Sequence, residues 1–346
     1  MNSTYIIGEI GQNHNGSVDI GKLIIDKAAQ EIVDPLFGAK LRKMDAVKFT
    51  KRDLNEELSA SAMNKAYKSP HSFGKTYGEH RAKLELNDEQ HYELYLYAKE
   101  KELEFVETLC AVGCLSMLKL FTPDRLKVAS RDLTNLPLLS AMAETKIPMI
   151  LSTGMGGIEE LDNALACITK HHNNISILHC LSQYPSEYRN INLHTITYLK
   201  ENYSQYTIGY SDHSIGIAMP LAAVAMGAAM IEKHITLDRT MKGTDQAGSL
   251  APDGIYRMMR DIRNLEMALG ENTMYVSEAV EEARIKLERS IATLRNIKKG
   301  EKITEKDIHM LSPGDGFKWA DREKILGKTA NQDIPHDEVI YSSMIG

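Results

Sequence analysis

Cysteine is scarce in this 346-residue chain: Cys110, Cys114, Cys167 and Cys180 are the whole complement. So few thiols exclude a disulfide scaffold, and Cys110 and Cys114 lack the second pair that a zinc site needs. Reduced, mostly buried thiols are expected. A basic surplus is also missing. Lys and Arg total 41 against 47 Asp and Glu, a formal net charge of −6. That excludes a non-specific nucleic-acid binder but leaves room for a local basic pocket. Trp319 is the single tryptophan and aromatics make up 6%, too few for a platform on which bases stack. No apolar run reaches the length of a membrane span. The longest, Ile215–Ile231, is broken by Gly216, Pro220 and Gly227 and reads as a buried helix running into a strand. Met1–Gly11 shows no charged region followed by an apolar stretch of signal-peptide length. A cytoplasmic location is expected, with neither membrane nor nucleic acid as a partner.

What is present is an alternation of strand-like and helix-like runs. The strand candidates are Tyr5–Ile10, Asp45–Thr50, Leu103–Thr108, Arg125–Ser130, Pro148–Thr153, Ser176–Leu181, Tyr206–Ser211 and Ala229–Ile235. Several are almost continuously apolar, as parallel strands buried on both faces are. Helix candidates between them include Val18–Gln30, Asp88–Lys101, Ile158–Thr169 and Pro252–Leu269, with Asn87 and Gln90 spaced as a capping box. Every gap is long enough for a parallel crossover. Eight such units predict a (β/α)8 TIM barrel over residues 1–278. The competing reading, an open doubly wound sheet, usually carries a Gly-rich dinucleotide loop after its first strand, and none is here. Residues 279–289 read as a helical linker. Residues 290–346, with short runs at Ile291–Leu294 and Asp333–Ile340, read as a small β-rich domain with a thin core.

A barrel of this type works at the C-terminal ends of its strands, and the polar residues gather there. Glu9, Lys48, Thr50, Thr108, Lys127, Ser130, Ser152, Thr153, His179, Ser182, Tyr184, Ser211, Asp212, His213, Glu232 and His234 all fall at predicted strand ends. Lys48 and Lys127, with the hydroxyls of Thr108, Ser130, Ser152, Ser182 and Ser211, suit a phosphate or carboxylate. The plainer alternatives are a structural ion pair for Lys48 and helix caps for the serines. His213 and His234, at adjacent strand ends, suit a first-row divalent ion, or are two satisfied core histidines. Glu9 is a base, a metal-shell group, a sugar-hydroxyl acceptor, or the structural partner of Lys48. Asp245 accepts from a polyol or sits in an ordinary turn. Gly74-Lys75-Thr76 and Gly327-Lys328-Thr329 echo a phosphate loop but lack its upstream glycine, and Gly154-Met155-Gly156-Gly157 lacks dinucleotide spacing.

Taken in order, Glu9–Gly16, Asp45–Lys48, Leu151–Met155, His179-Cys180 through Tyr184-Pro185, Gly209–His213 and Glu232–His234 resemble the sialic acid synthase family. The tail, from Arg289-Ser290 through Lys298–Glu301 to Pro313-Gly314 and Gly327-Lys328, resembles that family's SAF (antifreeze-like) domain. The resemblance implies a transferase that condenses phosphoenolpyruvate with a mannose-type aldose, N-acetylmannosamine or mannose, releasing phosphate by C–O cleavage. It implies that Lys48, Thr108, Lys127, Ser130, Ser152, Ser182 and Ser211 hold phosphoenolpyruvate, with Glu9, Lys48 and Lys127 catalytic. Glu9, Thr50, Tyr184, Asp245 and Ser312 would face the sugar, and His213 and His234 would hold Mn²⁺, or Mg²⁺ or Co²⁺. It also implies a domain-swapped homodimer. Where family members often read Arg-Pro-Gly, this chain has Ser312-Pro313-Gly314, and a serine cannot replace an arginine's charged contact to an N-acetyl group. Ser182 and Gln246 stand where Asn and His are common, and Tyr77–Arg81 is a further candidate for the sugar pocket. The alternatives are a legionaminate, pseudaminate or 9-phosphate-forming synthase of the same family, or a metal-dependent TIM-barrel hydrolase.

Overall fold

The computed structural model describes residues 3–346. The chain forms two compact units, Met1–Gly270 and Glu271–Gly346. In the first, eight strands close into a parallel barrel: β1 (Tyr5–Gly11), β2 (Ala46–Lys51), β3 (Glu104–Leu109), β4 (Arg125–Val128), β5 (Met149–Ser152), β6 (Ile175–Cys180), β7 (Thr207–Asp212) and β8 (Met230–His234). Each strand pairs with the next in the chain, and β8 pairs with β1, placing Glu9 beside His234. The expected (β/α)8 barrel is therefore the fold, with strand ends displaced from the sequence reading by only one or two residues.

Side-chain parity sorts each strand into two faces. Ile7, Ala46, Val106, Ile150, Leu178 and Met230 point inward and pack as a dry floor to the barrel. Their outward neighbours join the main core under the helices, which includes Ile6, Val47, Phe105, Leu151, Ile177 and Ile231. The helices meet this layer with apolar stripes. In Ile158–Ile168, Leu161, Ala164, Leu165 and Ile168 are buried at helical spacing, and Glu160 reaches back to the Gly157 N–H at 2.7 Å. Asn87 and Gln90 form the expected capping box on Asp88–Glu100. Ile215–Ile231 resolves into the helix Ala218–Ala225 leading into β8. Among the described residues no helix is long and apolar enough to cross a membrane. The four cysteines are free thiols, three of them buried.

The second unit has its own core of Ile291, Ile297, Ile303, Ile308, Ile325, Ile334 and Ile340. Strand β9 (Ser290–Thr293) pairs antiparallel with β10 (Ile308–Leu311). Residues 271–289 cluster with this unit: the last barrel helix ends at Ala268, and a short helix spans Glu281–Leu287. One expectation is corrected. Asp333–Ile340 makes no continuous strand. Ile334 and Val339 form isolated bridges to Ile297 and Ala292, since turns on either side stop a ladder from extending. Ser312 is in this unit, where its hydroxyl donates to the Leu287 carbonyl at 3.0 Å.

Candidate active site

One cavity of about 530 Å³ opens at the C-terminal mouth of the barrel, within the usual size for small-molecule sites. Glu9, Lys48, Thr50, Thr108, Lys127, Ser130, Ser152, Ser182, Tyr184, Ser211, His213, His234 and Asp245 all line it. Thus most of the strand-end residues proposed from the barrel sequence converge on one space; Thr153 is not among them, its hydroxyl donating to the Leu178 carbonyl at 3.3 Å. Nor are His179 and Asp212. Odd parity turns His179 outward, where Nε2 meets the Ile191 carbonyl at 2.7 Å. Asp212 is fully buried against Lys233 at 2.5 Å and also holds the Ser214 N–H at 2.9 Å, fixing the turn that carries His213.

Directly above the apolar floor lies a buried charged layer. Lys48 Nζ is 2.6 Å from Glu9 and 3.7 Å from Glu232, and it donates to Thr108 at 3.0 Å. Lys127 Nζ donates to Ser152 at 2.7 Å and lies 3.9 Å from Glu232, which accepts from Ser211 at 2.9 Å. The ion pair between Glu9 and Lys48 therefore exists, but inside the cavity rather than as a support beneath it. Burial pushes the Glu9 carboxyl up to about 7, with Lys48 opposing and Glu232 reinforcing. Glu232 also feels burial, yet the Lys127 and Lys48 ammoniums outweigh it and hold its carboxyl at about 2. With Glu9 protonated, two ammoniums face one carboxylate, an excess of positive charge on buried side chains. Desolvation lowers Lys127, while Glu232 and Glu9 raise Lys48 against its burial.

The next layer carries hydroxyls and imidazoles. At Gly154 a Cβ would stand 2.5 Å from Ser182 Oγ, 2.9 Å from Ser130 Oγ and 3.0 Å from Cys180 Sγ, so glycine is what lets the backbone approach the two hydroxyls. Sequence reading dismissed this glycine run for lacking dinucleotide spacing and missed its local use. His213 Nδ1 donates to the Leu181 carbonyl at 2.8 Å, which leaves Nε2 as the lone-pair nitrogen, where the Tyr184 hydroxyl meets it at 2.7 Å. His234 stands beside it, with ring centroids 5.7 Å apart, and its buried Nδ1 has no partner. Two imidazoles lining one cavity, one with an orphaned nitrogen, suit a divalent ion that takes its other ligands from small molecules. Among the described residues, no group of three or more His, Cys, Asp or Glu side chains is arranged to hold a metal.

The wall between β2 and β4 was not anticipated. Arg52, Arg81 and Arg131 line the cavity with Gln12, Tyr67 and His71. Arg81 comes from the helix Tyr77–Leu84, whose N-terminus Thr76 and Glu79 cap, and it bonds Gln12 and Tyr77. So Tyr77–Arg81 is a helix start and also a contributor to the wall. A signal was available for the others: Arg52 and Arg131 continue the inward parity of Lys48 and Lys127, four residues on. Glu85 accepts from Gln12 at 2.7 Å and lies 3.6 Å from Arg52, and burial raises its carboxyl to about 7. A carboxyl raised on folding holds a proton that the unfolded chain has already lost above its ordinary 4.5. Stability therefore falls as pH climbs from about 4.5 through 7. Glu85→Gln should flatten that decline and raise the urea midpoint at pH 8, with an upper bound of about 3 kcal/mol. An unchanged slope between pH 5 and 7.5 would refute the assignment.

Fold and site together define a (β/α)8-barrel protein whose mouth sets buried lysines and hydroxyls beside two imidazoles. Residues 37–274 match the NeuB family and residues 288–346 the SAF domain. The chain belongs to the NeuB family and ends in a SAF domain. It is 33% identical to the N-acetylneuraminate-9-phosphate synthase of Homo sapiens over 99% of this chain and 92% of that protein. It is 34% identical to the N,N'-diacetyllegionaminic acid synthase of Campylobacter jejuni over 98% and 99% of the two chains. Among solved structures, the N-acetylneuraminic acid synthetase of Leptospira borgpetersenii superposes with a TM-score of 0.68 at 31% identity, covering 82% of this chain and 90% of that one.

Proposed function

We propose that this protein is a nonulosonic acid synthase that condenses phosphoenolpyruvate with a mannose-type aldose. The observation that carries the reading is the buried layer in which Lys48 and Lys127 share Glu232 beneath a ring of hydroxyls. A small trianion meets there the cations and donors it needs, on side chains already buried and oriented. In this reading Lys48, Thr108, Lys127, Ser130, Ser152, Ser182 and Ser211 hold phosphoenolpyruvate. Thr50, Tyr184 and Asp245 face the sugar. C3 of the enol bonds to the aldehyde carbon, water adds at C2, and the C2–O bond to phosphate breaks, giving a 2-keto acid and phosphate. Glu9, near neutrality, exchanges the proton that the new alkoxide requires. The lysines neutralise the departing phosphate. His213 and His234 would hold a divalent ion, Mn²⁺ foremost, which would supply Lewis-acid polarisation of the aldehyde.

We extend the reading to a homodimer in which Ser312, from the SAF domain of a second copy, approaches the acceptor. Light scattering of the eluting protein tests the dimer. Incubation with phosphoenolpyruvate, Mn²⁺ and a panel of aldoses, following phosphate release, tests the reaction. No release with any sugar would overturn the synthase reading. Gly154→Ala places a methyl group against Ser182 and Ser130. It should raise KM for phosphoenolpyruvate at least about tenfold, the loss expected for one charge-assisted hydrogen bond. An unchanged KM would remove these hydroxyls from the anion site.

A further inference from the structure

The arginines of the cavity wall have no part in the reaction as set out above. Two-residue alternation carries Lys48 and Thr50 on to Arg52, Thr108 on to Cys110, and Lys127 and Ala129 on to Arg131, and all of these line the cavity. Arg52 and Arg131 thus form a layer above the one assigned to phosphoenolpyruvate. Their arrangement is not that of a closed ion-pair network. Arg52 Nη1 donates to Glu57 Oε1 at 2.6 Å, and Arg131 Nη1 lies 2.8 Å from the same oxygen as an ion pair. Arg131 Nε takes Asp132 at 3.2 Å. The Arg52 side chain is only 10% exposed, yet its Nε is buried without a hydrogen-bond partner. The other acids beside them, Asp132 on Arg131 and Glu85 at 3.6 Å from Arg52 Nε, hold their charge less readily, since burial raises both. Where the two guanidiniums converge on Glu57 they repel each other, and a further anion that joins them there relieves that repulsion. Arg81 adds a third cation to the same wall.

A planar fork of N–H donors is the usual recogniser of a phosphate monoester. The cavity has room for two small substrates together. The deeper lysine layer already serves one anion, so this outer layer is placed for an anion on the other substrate. We infer that Arg52 and Arg131 form a second anion subsite, which receives a phosphate monoester carried by the acceptor aldose at the end remote from its aldehyde. The inference rests on the synthase reading above and deepens it by naming the acceptor as a sugar phosphate.

The test compares mannose and N-acetylmannosamine with their 6-phosphates in the phosphate-release assay, using the wild type and Arg131→Ala. It is paired with calorimetric titration of mannose 6-phosphate and of inorganic phosphate. Arg131 is the residue to change because its side chain is about a third exposed; Arg131→Gln replaces it should the alanine variant not fold. The wild type should prefer the 6-phosphates, and the variant should lose roughly 10- to 100-fold of that preference in kcat/KM, mainly through KM. Turnover of the free sugars without a preference for the phosphates, or a preference retained in the variant, would overturn the subsite while leaving the synthase reading intact. If no sugar turns over, the synthase reading falls and calorimetry decides the subsite alone. Arg131-dependent binding of mannose 6-phosphate at least about tenfold tighter than inorganic phosphate supports it. No binding, or equal affinity for inorganic phosphate, overturns it.

Discussion

Lys127→Met should lower kcat for phosphate release by about 10³-fold while the protein stays folded, the scale seen when one preorganised electrostatic group is removed from a water-excluded site. The side chain is buried, donates to Ser152 at 2.7 Å and lies 3.9 Å from Glu232. Methionine keeps the length of the stem and its packing but removes the charge. Glu232 keeps Lys48 as a partner at 3.7 Å, so the variant is not left with an unpaired buried carboxylate. The positive excess that draws in the trianion disappears, however, and both binding and the stabilisation of departing phosphate suffer. Thermal melting checks folding, and pre-steady-state phosphate release separates kcat from binding. A variant that retains more than a tenth of wild-type kcat would show that Lys127 is structural and that the anion lies elsewhere.

His213→Ala and His234→Ala should each weaken Mn²⁺ binding by more than about 100-fold, since even groups that only support a ligand contribute 10- to 100-fold. The readout is the electron paramagnetic resonance signal of free against bound Mn²⁺, which needs no turnover. The geometry behind this is specific: the Leu181 carbonyl accepts a hydrogen bond from the His213 Nδ1–H and fixes the tautomer, and the His234 Nδ1 is buried without a partner. If both variants bind Mn²⁺ as the wild type does, these imidazoles are satisfied core groups and the ion does not belong to this cavity.

Much of the barrel was legible because its code is local. Runs such as Ile175–Cys180 are rich in apolar residues and buried on both faces, and Asn87 with Gln90 marks a helix start within three residues. Inward polar residues at the strand ends were legible for the same reason: parity depends only on counting along a strand. Parity was also where the reading went astray. His179 and Asp212 were gathered with the cavity residues because they stand near strand ends, although each is one position out of phase with Cys180 and Ser211. Arg52 and Arg131 were passed over because they lie just beyond the strands Ala46–Lys51 and Arg125–Val128. Ser312 and the SAF fold rested on family resemblance, since short turns and isolated bridges such as Ile297 with Ile334 carry little periodic signal.

From its order of residues alone, this chain already determines that eight parallel strands alternate with helices and that lysines, hydroxyls and two imidazoles stand at their ends, because alternation and capping act over a few residues. Only the tertiary structure decides who meets whom. Closure of the barrel sets β8 beside β1, so that Glu232 reaches both Lys48 and Lys127, Glu9 is pressed to the edge of ionisation, and Gly154 brings Ser130 and Ser182 together. Those encounters join residues far apart in the chain, and their charge states follow from shared burial, a property no single segment possesses.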